Sequence, residues 1–147
     1  MDHAANLGTD QVREFEARMR AWGLSHGPIQ FIHGDMTTLE SVPNILQHAD
    51  VVLCNNYAFT AELNDALLRL FLDLPDGAKV ISLKSFVPVA KDGRVRGGRG
   101  GVGEMFKVTK EWFGAGSVSW MPGGGEYYIS TVSRIDSASA TPASGDV

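Results

Sequence analysis

Two groups of candidate ligand-binding residues follow predicted strands of this 147-residue chain, where the edge of a parallel sheet would open to a ligand. The first group is Asp35-Met36, which comes after the predicted strand 29–33 and Gly34. The Asp35 carboxylate is able to accept a hydrogen bond from an exocyclic amine of a nucleotide-like ligand, with Met36 against the ring. The other interpretation, which position alone favours, is an aspartate in a turn or at the start of a helix.

The second group is Asn55-Asn56, followed by the aromatic residues Tyr57 and Phe59. A side-chain amide beside aromatic rings can orient an amine. Its carbonyl accepts an N–H, while the rings exclude water and leave the lone pair directed at an electrophile. The other interpretation is an Asx turn at the end of the strand, with Phe59 packed in the core. The residues alone favour neither interpretation.

Aromatic residues also lie on a predicted hairpin nearer the C-terminal end. Trp120 belongs to the predicted strand 117–120, and Tyr127 and Tyr128 belong to the predicted strand 126–132. Because side chains alternate along a strand, the two tyrosines lie on opposite faces, so that one can pack in the core while the other faces a ligand. Plain packing is the more common role of aromatic residues in hairpins.

Other chemistry finds little support in the residue pattern. The four histidines have no metal-ligand spacing and the single cysteine, Cys54, lies within a predicted strand, so no metal site is expected. The glycine-rich segment 91–103 contains neither a Walker lysine in its strand-to-helix context nor a dinucleotide fingerprint. Its basic residues, from Lys91 to Arg99, are consistent with a loop that contacts nucleic acid or an acidic surface. The other interpretation, a solvated loop, is the commoner state.

The elements that must position these residues alternate between helices and strands. Apolar spacing predicts helices at 9–22, 40–47, 61–74 and 102–113, and strands at 29–33, 51–54, 78–83, 117–120 and 126–132. Thr9 and Thr60 are the predicted N-caps of the first and third helices. Such alternation predicts an α/β fold with a largely parallel sheet, in which the last two strands form an antiparallel hairpin.

The composition is that of an ordinary globular domain, with 44% hydrophobic residues, 20% charged residues and a formal net charge of −4. No apolar run approaches the roughly 18 to 20 residues of a membrane span, and no signal peptide can be read. The single cysteine excludes an internal disulfide and favours a reducing compartment. Residues 135–147, rich in Ser, Ala and Thr, are predicted to be a disordered tail.

Four segments taken together resemble the disruptor-of-telomeric-silencing family, the non-SET histone methyltransferases that modify lysine-79 of histone H3. The segments are residues 31–36, 50–59, 81–86 and 117–131, and the resemblance extends over about residues 1–134. Its specific signals are the double asparagine with following aromatics and the spacing from Val-Ser-Trp to Tyr-Tyr. The Gly-Gly-Glu-Tyr-Tyr form at 124–128 is most similar to fungal members.

The resemblance implies a nuclear enzyme that transfers methyl groups from S-adenosyl-L-methionine to histone H3 in the nucleosome. It implies that Asp35 and Met36 contact the adenine end of the cofactor, and that Asn55 both binds the cofactor and acts beside the methyl-transfer centre. It counts Tyr127 with Asn55 as a catalytic residue. The implied channel for the target lysine is lined by Tyr57, Phe59, Trp120 and Tyr127.

The resemblance also implies an incomplete sheet of the Rossmann-like class I methyltransferase type, whose strand order is 3-2-1-4-5-7-6. The family's glycine-rich cofactor motif and its ribose-binding acidic residue belong to the first two strands, which are expected upstream of residue 1. Residues 1–134 are therefore interpreted as the C-terminal portion of a catalytic domain, with strand 29–33 either unpaired or paired with strand 51–54. The alternative function is an inactive remnant that serves as a chromatin- or protein-binding module.

Overall fold

The computed structural model describes residues 2–88, 105–119 and 121–134. They belong to two compact units, Met1–Leu39 and Glu40–Val147. The predictions made for the basic segment from Lys91 to Arg99, for Trp120 and for the tail 135–147 lie outside the described residues. Within the described ranges, no helix is long and apolar enough to cross a membrane.

The first unit begins with a long helix, α1, which spans Asp2–Ala21. As predicted, Gly23 lies just past its end, with a positive φ of 66°. The predicted start was wrong, because Thr9 lies inside the helix and its hydroxyl donates to the Ala5 carbonyl at 3.1 Å instead of capping. Good helix formers upstream of Thr9, including Ala5 and Leu7, carry the helix past the expected cap.

The strand predicted at residues 29–33 does not form, and that prediction was wrong. Among the described strands none pairs with this segment, and its apolar residues Ile29, Phe31 and Ile32 are exposed. A strand requires neighbours for its backbone N–H and C=O groups, and the described part of the first unit contains no other strand. Neither arrangement expected for this strand, unpaired or paired with residues 51–54, is therefore present.

The second unit is a mixed α/β structure, as the alternation predicted. Its elements in chain order are α2 (Ser41–Leu46), β1 (Val51–Cys54), α3 (Ala61–Leu70), a 3₁₀-helix (Phe71–Asp73), β2 (Lys79–Ser82), β3 (Phe106–Phe113) and β4 (Gly125–Val132). The sheet order is β1-β2-β4-β3. Strands β1 and β2 are parallel, whereas β4 is antiparallel to both β2 and β3, so the described sheet is less parallel than expected.

The C-terminal hairpin exists, but its first strand was wrongly placed. The helix predicted at 102–113 was wrong in its described part, because residues Phe106–Phe113 form β3. This strand pairs with β4 over its whole length. β-Branched and aromatic residues such as Val108, Thr109 and Trp112 favour a strand, and the pairing with β4 overrides the weak helical spacing. Residues 117–120 were predicted as a strand, but the described residues 117–119 form no strand, and Val118 makes an isolated bridge with Met121.

The hydrophobic core lies between the helices of the second unit and one face of the sheet. It contains Leu46, Cys54, Leu67, Phe71, Leu74, Ala78, Val80, Phe86, Val87, Phe106 and Val132. The rings of Phe71 and Phe86 meet edge to face, with centroids 5.1 Å apart. The opposite face of β1 carries Val51 and Leu53, which are exposed, Leu53 by 79%.

Arg134 ties the end of β4 to the turn that precedes β2. Its guanidinium Nη2 donates to the carbonyls of Leu72 and Leu74 at 2.8 and 2.7 Å, and its backbone N–H donates to the Asp76 carboxylate at 2.8 Å. Because carbonyls at the end of a helical segment have no partner within it, the cation satisfies groups that would otherwise need water. The central strands β2 and β4 are thereby fixed to the helical layer.

The connection between β3 and β4 passes very close to the end of β3 at Gly124. A Cβ atom on Gly124 would lie 2.6 Å from the Phe113 carbonyl oxygen and 2.9 Å from Nε1 of Trp112. The neighbouring Gly123 has open space around the same position. The close approach at Gly124 therefore needs a residue without a side chain, and it sets the path of the chain into β4.

We expect Gly124→Ala to lower the free energy of unfolding by about 1–3 kcal/mol, because the added methyl group displaces the β3 backbone. Gly123→Ala is the matched control, and its effect should stay within about 0.5 kcal/mol. Denaturant unfolding of the two variants measures the difference. Equal stabilities would contradict the close approach.

Candidate functional site

The carboxyl ends of the parallel strands β1 and β2 lie side by side, with Cys54 opposite Ser82. Residues 55–59 follow β1 and residues 83–87 follow β2, so both loops leave the sheet at the same edge. Burial raises the pKa of the Cys54 thiol, which keeps it neutral at the base of this edge. In open α/β sheets this is the edge at which ligands bind.

Asn56 is completely buried, and its side chain makes four hydrogen bonds. Its Nδ2 donates to the Lys84 carbonyl and to Oδ1 of Asn64, both at 2.9 Å. Its Oδ1 accepts the backbone N–H groups of Leu83 at 3.1 Å and Lys84 at 2.9 Å. Both donors of the amide and both lone pairs of its oxygen are thereby occupied, so Asn56 has a structural role.

Asn55, in contrast, is exposed. Burial alternates from Val51 to Asn56, so that Asn55 continues the exposed row of Val51 and Leu53 while Asn56 continues the buried row of Cys54. Backbone hydrogen bonds from the Asn56 N–H to the Cys54 carbonyl and from Phe59 N–H to the Asn56 carbonyl tighten the turn. The Asn56 side chain does not form the Asx turn that the sequence left open, because its partners are Asn64, Leu83 and Lys84. A ligand-facing role of the exposed Asn55 stays a prediction.

The two aromatic residues of this loop differ in the same way. Tyr57 is 60% exposed, and the Lys84 ammonium lies 5.2 Å from the centroid of its ring, which is a cation–π contact. Phe59 is half-buried and packs against the hydrophobic core. The packing interpretation of Phe59 therefore holds, and its place in a lysine channel stays a prediction, as does that of Tyr57.

Tyr127 belongs to the same edge of the sheet through β4. Tyr128 pairs with Ser82, the last residue of β2, and β4 runs antiparallel, so Tyr127 lies beyond the end of β2. Strand alternation puts Tyr127 on the face that carries Leu53, where its ring lies 6.5 Å from that of Phe113 between centroids. Tyr127 and Tyr128 are each half-buried, on opposite faces.

Asp35 and Met36 belong to the first unit. The Asp35 Oδ1 atom accepts the hydroxyl of Thr37 at 2.7 Å and its N–H at 2.8 Å, which forms an Asx turn. The Thr37 hydroxyl bond, followed by the backbone bond, lowers the pKa of Asp35. The turn interpretation of Asp35 therefore holds. Met36 is exposed, and a contact of either residue with an adenine ring stays a prediction.

The structure thus brings Asn55, Tyr57 and Tyr127 to one edge of the second unit. The sequence did not predict a role at this edge for two other residues, Asn64 and Lys84. The available signal for Asn64 was a polar residue at helical spacing from the core residues Leu67 and Phe71, and no comparable pattern marks Lys84. In the described ranges, no group of three or more His, Cys, Asp or Glu side chains could hold a metal ion.

The second unit belongs to the class of mixed α/β domains, with polar and aromatic side chains at the carboxyl edge of two parallel strands. Comparison with protein families narrows this class. The chain belongs to the family described as histone methylation protein DOT1, whose model matches residues 1–132.

Curated relatives agree with the family. The histone-lysine N-methyltransferase, H3 lysine-79 specific, of Emericella nidulans is 40% identical over 131 residues, which are 89% of this chain and 26% of that protein. The proteins of the same name from Mycosarcoma maydis and Yarrowia lipolytica are 46% and 42% identical over 132 and 134 residues. These matches cover 88% and 91% of this chain and 16% and 27% of the relatives. The predicted family resemblance, with its fungal character, is confirmed, and the chain spans about a quarter or less of these relatives.

We expect Thr37→Val to raise the pKa of Asp35 towards its ordinary value, because the variant loses the hydroxyl bond and keeps the backbone bond. As the bonds favour the charged form, the Asp35 carboxylate of the parent chain stays ionised to lower pH than that of the variant. Carboxyl carbon NMR across an acid titration measures both midpoints, and Thr37→Ser, which retains a hydroxyl, is the control. Identical midpoints in all three chains would show that the hydroxyl bond has no effect.

Proposed function

We propose that this chain is the C-terminal part of the catalytic domain of a histone-lysine N-methyltransferase of the H3 lysine-79 type. The observation that carries the proposal is the family match over residues 1–132, with relatives whose names state this activity. The exposed Asn55 beside aromatic side chains at a ligand-binding edge supports it. The proposed partner is histone H3 in the nucleosome, and the proposed location is the nucleus.

The side chains at the edge suit methyl transfer to an amine. When bound, S-adenosyl-L-methionine supplies a methyl group on a positively charged sulfur, which a neutral amine displaces in line. We propose that the Asn55 carbonyl accepts an N–H of the target lysine and directs its lone pair. The rings of Tyr57 and Tyr127, with Phe59 and Trp120, line the channel and exclude water, which favours the neutral amine.

Three side chains of the chain also suit chemical groups of the cofactor. The exposed, ionised Asp35 carboxylate suits an exocyclic amine of adenine, the exposed Met36 side chain suits the flat face of the ring, and the Asn55 amide suits the polar methionyl end. Tyr127, beyond the end of β2, is the second proposed catalytic residue. Positioning and desolvation account for much of such a reaction, so that a strong general base is not required.

The fold proposal is that β1, β2, β4 and β3 are strands four, five, seven and six of a class I methyltransferase sheet. Their order and the antiparallel direction of β4 correspond to the 4-5-7-6 half of that sheet. Val51 and Leu53 support the assignment, because a strand inside a sheet carries apolar residues on both faces. The glycine-rich motif then belongs to the part of the relatives that this chain does not span.

The proposal also includes a contact surface on the basic segment and an alternative function. The basic segment from Lys91 to Arg99 is proposed to touch nucleic acid or an acidic surface. The alternative function is a catalytically inactive module that binds chromatin or protein. Methyl transfer distinguishes the two functions.

The test is a chimera in which the aligned 131 residues of the Emericella nidulans relative are replaced by those of this chain. If the residues of this chain support catalysis, the chimera binds S-adenosyl-L-methionine and methylates histone H3 in nucleosomes at a rate within about tenfold of the parent enzyme. Calorimetry with the cofactor and a radiolabelled methyl assay measure the two steps. A folded chimera that binds the cofactor and transfers no methyl group would favour the inactive module.

Within this chimera, Asn55→Ala should reduce turnover by about a hundredfold or more, because the amine loses the group that directs its lone pair. The fold should persist, since the Asn55 side chain is exposed. Asn44→Ala, at an exposed asparagine of α2 in the same unit, is the matched control and should retain normal turnover. If turnover of the Asn55 variant is near normal, the assignment of Asn55 is wrong.

A further inference from the structure

We propose that Asn56 is a positioning residue for methyl transfer, a role that the proposed function does not assign to it and that rests on that function. Its buried amide joins the loop after β1 to the loop after β2, so that Asn55 and Tyr57 keep a fixed place at the edge of the sheet. Asn56 itself touches neither cofactor nor substrate, because it is completely buried and its hydrogen-bonding groups are occupied.

The Asn56 side chain joins the loop after β1 to the loop after β2. Backbone pairing between β1 and β2 ends at Cys54 and Ser82. Beyond that pair, the Asn56 amide takes the place of a strand neighbour. It donates to the Lys84 carbonyl and accepts from the Lys84 N–H, both at 2.9 Å, and it also accepts from the Leu83 N–H. The bridge therefore extends the connection between the two chain segments past the last strand pair.

Asn64 extends the same network to the far end of the loop after β1. Asn64 on α3 accepts a hydrogen bond from Asn56, and its own Nδ2 donates to the carbonyls of Thr60 at 2.9 Å and Phe59 at 3.4 Å. The side chain of Thr60 caps α3 by accepting the Leu63 N–H. Two linked amides thus hold the start and the end of the loop 56–60, and the helix anchors both.

The network therefore affects Asn55 and Tyr57, which are attached to this loop. Asn55 is bonded to Asn56 through the chain, so a shift of Asn56 moves Asn55 as well. The Lys84 ammonium lies over the ring of Tyr57, and the Lys84 backbone is held by both of its hydrogen bonds to Asn56. Loss of the Asn56 amide therefore releases Asn55 and Tyr57 together, which are two of the residues proposed to orient the amine.

The test compares turnover with cofactor affinity in the chimera described above. We expect Asn56→Ala to lower kcat by about ten- to a hundredfold, because small displacements of positioning groups have effects of this size. The KM for S-adenosyl-L-methionine should rise by a smaller factor than kcat falls, because Asn55 is one of three residues proposed to hold the cofactor, beside Asp35 and Met36. Turnover is expressed per folded molecule, measured by circular dichroism at the assay temperature. A kcat per folded molecule within about twofold of the unaltered chimera would mean that Asn56 only stabilises the fold.

A gentler pair of variants covers the case in which Asn56→Ala does not fold. Asn64→Asp keeps an oxygen that can accept from Asn56, whereas Asn64→Ala does not, and both lose the bond to the Thr60 carbonyl. We expect kcat of the aspartate variant to exceed that of the alanine variant by about threefold or more. Equal kcat values for the two Asn64 variants would overturn the link between the amide network and turnover.

A measurement without activity separates this inference from the proposed function. Hydrogen exchange of the amides of Leu83 and Lys84 in this chain should quicken at least tenfold in the Asn64→Ala variant relative to Asn64→Asp, while amides of β4 stay protected. Unchanged exchange at these two amides would show that the bridge does not hold the loop. An inactive but folded unaltered chimera would refute the proposed function, and with it a role in methyl transfer, even where exchange reports an intact bridge.

Discussion

A buried side-chain amide must satisfy every one of its hydrogen-bonding groups, and this constraint on Asn56 determines the edge of the sheet. Its partners come from two separate parts of the chain, namely residues 83–84 after β2 and Asn64 on α3, while the Asn56 backbone closes the turn after β1. None of these parts can shift alone without leaving a donor or an acceptor unpaired. The loop that carries Asn55 and Tyr57 is therefore defined by polar contacts, although it rests on an apolar core.

Local signals were sufficient for the middle of the chain. The Thr60 side chain accepts the Leu63 N–H as an N-cap, and Gly77, with a φ of 81°, turns the chain into β2, so β1, α3 and β2 could all be predicted. The prediction of a helix over the residues of β3 and the prediction of a strand at 29–33 were both wrong for the same reason. A strand exists only where another strand pairs with it, and β3 has β4 whereas residues 29–33 have no partner in the described structure.

The candidate site could be located from the sequence, but its internal division of roles could not. Two consecutive asparagines after an apolar run indicate the ligand edge of a parallel sheet, because strand ends in such sheets lie together. Which of the two is buried depends on Leu83 and Lys84, 27 and 28 residues further along the chain, and on Asn64. Contacts over such distances follow from the register of β1 with β2, which residue patterns do not specify.

The alternation of burial explains why two asparagines in succession serve this edge better than one. An exposed amide on a loop has no contacts that hold its direction, whereas a buried amide has no access to a ligand. Because neighbouring residues at a strand end point to opposite faces, Asn56 can bind the helical side of the sheet while Asn55 faces the open side, which also carries Leu53 and Tyr127. Fixed contacts on one face of the chain thereby limit the directions open to the exposed side chain on the other face.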